Sequence, residues 1–155
     1  MTMINILTKS SFSFEVAQNI NFPALRRLLN DVAPLYPSFD AWLNFTFRRN
    51  MASGERRVLI AHNGSELVGA ALLKDSLAEG KICTFFVSPD HRQMNIGGQL
   101  LDQALRELDR DDAFITVAEE RKAELSPLLT SRGFSVGNSI SSLYRPGSTE
   151  YLFTL

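Results

Sequence analysis

Two groups of residues in this 155-residue chain have types and spacings suited to chemistry. The first is Arg92-Gln93-Met94-Asn95-Ile96-Gly97-Gly98-Gln99, lying between an apolar run and an amphipathic one. Asn and Gly best tolerate a positive φ, and two adjacent glycines remove side chains that would hold an anion away from the backbone. If a helix starts here, its unpaired N–H groups and partial positive charge suit a phosphate, and Arg92 adds a fork of donors. The second group is Glu119-Glu120, directly after the apolar Phe114–Val117. A carboxylate at the end of a strand can take a proton directly or through water. The competing reading is that both acids favour the start of the next helix, worth ~0.3–1 kcal/mol each. Glu79 and His91 are alternative bases. With one cysteine and two histidines, no metal-ligand cluster is visible.

The flanks of the first group must position it. Ile82, Phe85, Phe86 and Val87 suit a strand covered on both faces, and Pro89 marks its exit. Leu100, Leu101, Ala104, Leu105 and Leu108 then recur on one helical face, with Asp102, Gln103, Arg106 and Glu107 opposite. This strand, turn and helix, Val87-Ser88-Pro89-Asp90-His91-Arg92 followed by the glycines and Leu100-Leu101, resembles the acetyl-CoA-binding signature of the Gcn5-related N-acetyltransferase (GNAT) superfamily. That pattern is Arg/Gln-x-x-Gly-x-Gly/Ala. Here it stands as Arg92-Gln93-Met94-Asn95-Ile96-Gly97, with Asn95 in the place of the usual glycine.

The resemblance implies acetyl transfer from acetyl-CoA to an amine by direct attack. Backbone groups of Phe85, Phe86 and Val87 would pair with the pantetheine, and amides from Gln93 to Gln99 would hold the pyrophosphate. Many relatives carry a tyrosine four residues before a Gly-Phe pair, where its hydroxyl reaches the cofactor sulfur. Here the pair is Gly133-Phe134 and the position is Leu129, which transfers no proton. Ser126, Thr130, Ser131 or Tyr144 are candidate acids in its place; otherwise the weakly basic thiolate leaves unassisted or through water. Tyr36, Asp40 and Trp42 fall where such enzymes shape the acceptor site.

The whole chain fits one domain, residues 1–155, of an α/β class. Its expected form is a GNAT-like, mostly antiparallel mixed sheet of six to seven strands with about four helices. Phe12, Phe14 and Val16 alternate as a first strand, and Met3–Leu7 is a weaker candidate. Asn21 and Pro23 open a helix carrying Phe22, Leu25, Leu28, Leu29 and Val32; Ser38 or Asp40 opens a second through about Met51. Asn63-Gly64 reads as the turn between strands Val58–His62 and Glu66–Leu73. The latter's Leu67-Val68-Gly69-Ala70-Ala71-Leu72 resembles the family's hairpin on the cofactor side. Glu119–Thr130 reads as a helix interrupted by Pro127 and closed by Gly133, before strands Phe134–Ser139 and Glu150–Leu155.

Composition narrows the function classes. The net charge of −1 gives no drive toward nucleic acid or anionic membrane, although Arg26-Arg27, Arg48-Arg49 and Arg56-Arg57 make the first sixty residues basic. The lone Cys83, in an apolar strand, reads as a small buried hydrophobe, and His62 as a strand-end residue. No apolar run reaches the ~18–20 residues that cross a membrane, and Met1–Ser13 lacks a signal-peptide layout, so a reducing cytoplasm is expected. The leading expectation is a small-molecule or peptide N-acetyltransferase without a metal, and exposed C-terminal edge strands suggest a homodimer. Competing readings are a toxin-like acetyltransferase of aminoacyl-tRNA, which a contiguous surface of the three Arg pairs would favour, and a non-catalytic acyl-CoA-binding or interaction module.

Overall fold

The computed structural model describes residues 12–155, so the candidate strand Met3–Leu7 lies outside the described residues. Among the described residues, seven strands form one sheet in the order β1-β2-β3-β4-β5-β7-β6. They are β1 (Ser13–Val16), β2 (Arg56–His62), β3 (Leu67–Asp75), β4 (Gly80–Val87), β5 (Phe114–Ala118), β6 (Ser135–Ser141) and β7 (Thr149–Thr154). All neighbours are antiparallel except β4 and β5, which run parallel. Period-two alternation sorts β2 cleanly: Val58 and Ile60 face one apolar layer, Leu59 and Ala61 the other.

Helices cover both faces. On one side lie α1 (Phe22–Leu28) and α2, which begins at Phe39–Ala41 and continues π-helically through Trp42–Phe47. Leu25, Leu29, Leu43 and Phe47 from this layer pack on Val58, Leu72 and Phe86. On the other side lie α3 (Ile96–Leu108) and α4 (Lys122–Ser131), with Leu100, Leu101, Ala104, Leu125 and Leu129 on Leu59, Ala71, Phe85 and Val87. Asn21 caps α1 as its residue type suggests, its side chain accepting from the Ala24 N–H at 3.0 Å.

Several local expectations are corrected. The hairpin at Asn63-Gly64 is a four-residue loop closed by two bonds, Asn63 N–H to the Glu66 carbonyl and Glu66 N–H to the Asn63 side chain, with Gly64 at φ +101°. Its second strand therefore starts at Leu67 and runs to Asp75. Pro127 does not interrupt α4, which continues to Ser131. That helix closes as foreseen on Gly133, at φ +93°, with Phe134 N–H bonding the Leu129 carbonyl and Gly133 N–H that of Thr130. Leu129 is thus a core residue. The second helix follows Ser38, which sits at φ +59°, and its wide turn stacks Trp42 and Phe47, five residues apart, at 5.5 Å between ring centroids.

Candidate active site

The turn after β4 has the backbone that its residue types demand. A short 3-10 turn, Pro89–Met94, leads to Asn95 at φ +57° and ψ +23°, and α3 starts at the next residue with no side chain capping its first amides. Asn95 therefore supplies the left-handed residue usually provided by glycine. Gly97 and Gly98 are helical, so their value is space and not positive φ. A Cβ on Gly97 would stand 3.4 Å from Leu128 of α4, in the groove between the two helices. A Cβ on Gly98 would lie 2.5 Å from the Asn95 side-chain oxygen and 2.6 Å from an Arg132 nitrogen. The bare N-terminus of α3, with Arg92 and Arg132 at its flanks, fits a pyrophosphate.

The sheet opens beside this turn. β4 and β5 are paired only at Lys81 and Phe114 and diverge beyond. Two arginines hold the carbonyls that β4 turns toward the opening. Arg121, 8% exposed, donates to the Phe85 carbonyl at 2.8 Å and to Glu124 at 2.8 Å. Arg92 donates through Nε to the Val87 carbonyl at 3.0 Å, and its other end stands 3.5 Å from the same Glu124. Both guanidiniums lie over the Phe86 ring, 5.3 and 5.5 Å from its centroid.

On the α1–α2 face a cavity of about 210 Å³ lies against β4. Its walls are Tyr36, Phe39, Trp42 and Tyr144, and its floor is the cations Arg56, Lys74 and Lys81 with Glu79, Cys83 and Thr84. The floor is shaped by an irregularity in β4: Thr84 faces Leu72 and Ile82 faces Leu73, leaving Cys83 without a partner in β3. The Cys83 thiol is pushed up by burial and accepts a contact from Arg56 at 3.3 Å, so it is a poor nucleophile. Lys81 donates to the Tyr144 hydroxyl at 3.0 Å, and the rings of Tyr36 and Tyr144 meet edge to face at 5.2 Å. Asp40, a candidate substrate contact, is instead exposed and paired with Arg26 at 2.5 Å.

The carboxylates separate by environment. Glu120 accepts both terminal nitrogens of Arg145 at 2.6 and 2.7 Å, and this pairing pulls its carboxyl down to about 2. Glu119 accepts the Thr149 N–H at 3.1 Å and so ties β5 to the start of β7. Glu79 pairs with Lys74 at 2.9 Å, which holds it below the usual carboxylate range. His91 stacks edge-on against Phe12 at 5.8 Å, away from the cavity floor. The residue that sequence reasoning missed is Glu150 on β7, opposite Ala118 of β5 and Ile140 of β6. It is 1% exposed, neither oxygen has a hydrogen-bond partner among the described residues, and burial raises its carboxyl to about 6 against a pull from Arg145. Next after burial, Glu150 is the strongest influence raising the phenol of Tyr36, which stays protonated across the physiological range. The only signal in the sequence is an acid within a strand, in Thr149-Glu150-Tyr151.

The family and the fold are settled by comparison with known proteins. A model of the acetyltransferase (GNAT) domain matches residues 36–141. The chain belongs to the GNAT acetyltransferase family. No curated protein matches it in sequence. Solved structures share the fold at low identity. A Desulfovibrio desulfuricans protein assigned to the GNAT family superposes with a TM-score of 0.74 at 18% identity, over 93% of this chain and 98% of that one. Arabidopsis thaliana Naa50, in complex with the bisubstrate analogue CoA-Ac-MVNAL, gives 0.73 at 17% over 94% and 98%. The Salmonella typhimurium protein yncA, assigned as an acetyltransferase and solved with acetyl-CoA, gives 0.72 at 16% over 94% of each chain. Several arginines of the three Arg pairs are engaged within this acetyltransferase. Arg26 pairs with Asp40, Arg48 lies over Phe22, Arg56 lines the cavity and Arg57 pairs with Asp75 and Glu107.

Proposed function

We propose that this acetyltransferase moves the acetyl group of acetyl-CoA to a primary amine by direct attack within a ternary complex. The observation that carries the reading is the occurrence together of three features: a left-handed Asn95 before a bare helix terminus, a sheet opened between β4 and β5, and an aromatic cavity against β4. The pyrophosphate would rest on the first amides of α3, from Gln93 to Gln99, with Arg92 alongside. The pantetheine would enter the opening beside Phe85, Phe86 and Val87. There it competes with Arg121 for the Phe85 carbonyl, and Arg121 retains Glu124 as a partner when it yields. Both yncA and Naa50 are solved with acetyl-CoA or a CoA-containing analogue, which supports the choice of donor.

The acceptor amine would enter the cavity and must lose a proton during attack. Glu150, buried and outside the cavity lining, is the group we assign to receive it through an intervening water. Its carboxyl, raised to about 6, is still ionised at neutral pH and more basic than Glu120. Glu119 and Glu120, the bases suggested by their place after β5, are engaged by Thr149 and Arg145. Of the candidate acids we assign Tyr144: its hydroxyl accepts from Lys81 and so would have its own proton free to pass to the departing thiolate. Holding amine and thioester together supplies the remaining advantage, removing the entropy of encounter.

The test is a calorimetric titration with acetyl-CoA on the wild type and on Gly97→Trp, whose indole would fill the groove against Leu128. Micromolar binding by the wild type and its loss in a variant that melts normally is the expected result. A wild type that binds no acetyl-CoA would leave the interaction-module reading in its place.

A further inference from the structure

We propose that the amine acetylated by this enzyme carries an oxyanion, a carboxylate or phosphate, received in the cavity by Arg56 and Lys81. The inference rests on the acetyl-transfer reading above and names the class of its acceptor.

The sheet itself builds the site. Arg56 of β2 lies opposite Lys74 of β3, and Lys74 lies opposite Lys81 of β4. Three cations thus form one cross-strand row on the cavity floor, an arrangement that destabilises an antiparallel sheet through like-charge repulsion. One carboxylate compensates it: Glu79 pairs with Lys74 at 2.9 Å. Arg56 and Lys81 have no acidic partner among the described salt bridges.

Arg56 is the stronger indicator. It is 8% exposed, its Nε is buried without a partner, and its one side-chain hydrogen bond among the described residues goes to the weakly accepting sulfur of Cys83 at 3.3 Å. Trp42 and Phe47 hold the guanidinium from the side, 6.0 and 5.8 Å from their ring centroids. A cation stripped of water, fixed in orientation and left without an anion is costly unless a ligand completes it. Lys81 adds a second charge beside the Tyr144 hydroxyl. The cavity of about 210 Å³ has room for a small amine that carries the oxyanion close to its reacting nitrogen. The aromatic walls suit a flat or apolar body between amine and oxyanion.

The experiment follows thiol release from acetyl-CoA with two matched pairs of amines: L-phenylalanine against phenethylamine, and O-phosphoethanolamine against ethanolamine. In at least one pair the oxyanion-bearing member should have a kcat/KM about tenfold higher or more, because only it meets the buried charge. Which pair responds tells carboxylate from phosphate. The ratio should fall toward one in Lys81→Met and in Arg56→Met. If the buried Arg56 variant fails to fold, Lys81→Met alone decides. As a readout independent of turnover, L-phenylalanine or inorganic phosphate should raise the melting temperature of the wild type more than that of Lys81→Met. Neutral amines turned over as well as their partners would overturn the proposal while leaving acetyl transfer intact. Equal melting shifts in the two proteins with both ligands would overturn it as well. Thiol release with none of the amines, and no binding of acetyl-CoA, would instead strike the acetyl-transfer reading, and the melting comparison would then judge the oxyanion site alone.

Discussion

Glu150 is buried without a hydrogen-bond partner among the described residues, at the expense of the fold. Burial disfavours its charged form and pushes its carboxyl up from 4.5 to about 6. The folded state therefore binds its proton more tightly than the unfolded chain. Stability from this group is full below pH 4.5 and is lost as pH rises through 6, a difference of about 2 kcal/mol from the 1.36 kcal/mol per unit of linkage. Glu150→Gln should accordingly melt higher than the wild type at pH 7.5, with the gap closing toward pH 4.5. It should also lower kcat by about a hundredfold or more if Glu150 takes the amine proton. Scanning calorimetry across pH and a rate profile check both halves; a variant that keeps its rate would return the base role to another group. Sequence pointed to Glu119 and Glu120 because they follow a strand and precede a helix. Their engagement depends on Thr149 and Arg145, far along the chain, and no local pattern reveals such partners.

At the scale of the element, the turn into α3 was legible because its requirements are local. A left-handed residue, a bare helix start and room near the axis each name a residue type, and Asn95, Gly97 and Gly98 provide them. Since Asn95 already adopts φ +57°, replacing it by the glycine usual in the family should leave acetyl-CoA affinity within about threefold. Asn95→Ala, forced into the same conformation, should lose roughly 1 kcal/mol of stability. Denaturation and titration of the two variants check this, and a large gain in affinity for Asn95→Gly would show that the asparagine spoils the loop. The order of strands and helices was readable from apolar periodicity and turn residues, and the seven strands fall within the six to seven expected. The irregularity at Cys83 and the wide turn of α2 were not. Both depend on which neighbour a strand or helix meets, and the sequence of the element alone contains no trace of that.

At the scale of the molecule, the sheet is divided into β1–β4 on one side and β5, β7 and β6 on the other. The extent of this division, one paired position at Lys81 and Phe114, emerges only from the assembled sheet. What joins the halves is the apolar layer under α3 and α4, where Ile82, Phe85 and Leu100 meet Ile115, Val117 and Phe153. An ionic tie holds the neighbouring corner: Arg110 reaches Asp75 at 3.2 Å and Asp112 at 2.8 Å, and its side chain occupies the space that a Cβ on Gly80 would need.

Because cohesion across this division comes from side chains and scarcely from backbone pairing, the peptide linkage between the halves should be dispensable once the protein has folded. A protease site placed between Asp111 and Asp112 could be cut with the two pieces still migrating together in gel filtration. Acetyl-CoA, lodged across the cut molecule, should then slow their separation. Pieces that part at once would mean that the covalent connection, and not the shared apolar layer, keeps the catalytic cleft assembled.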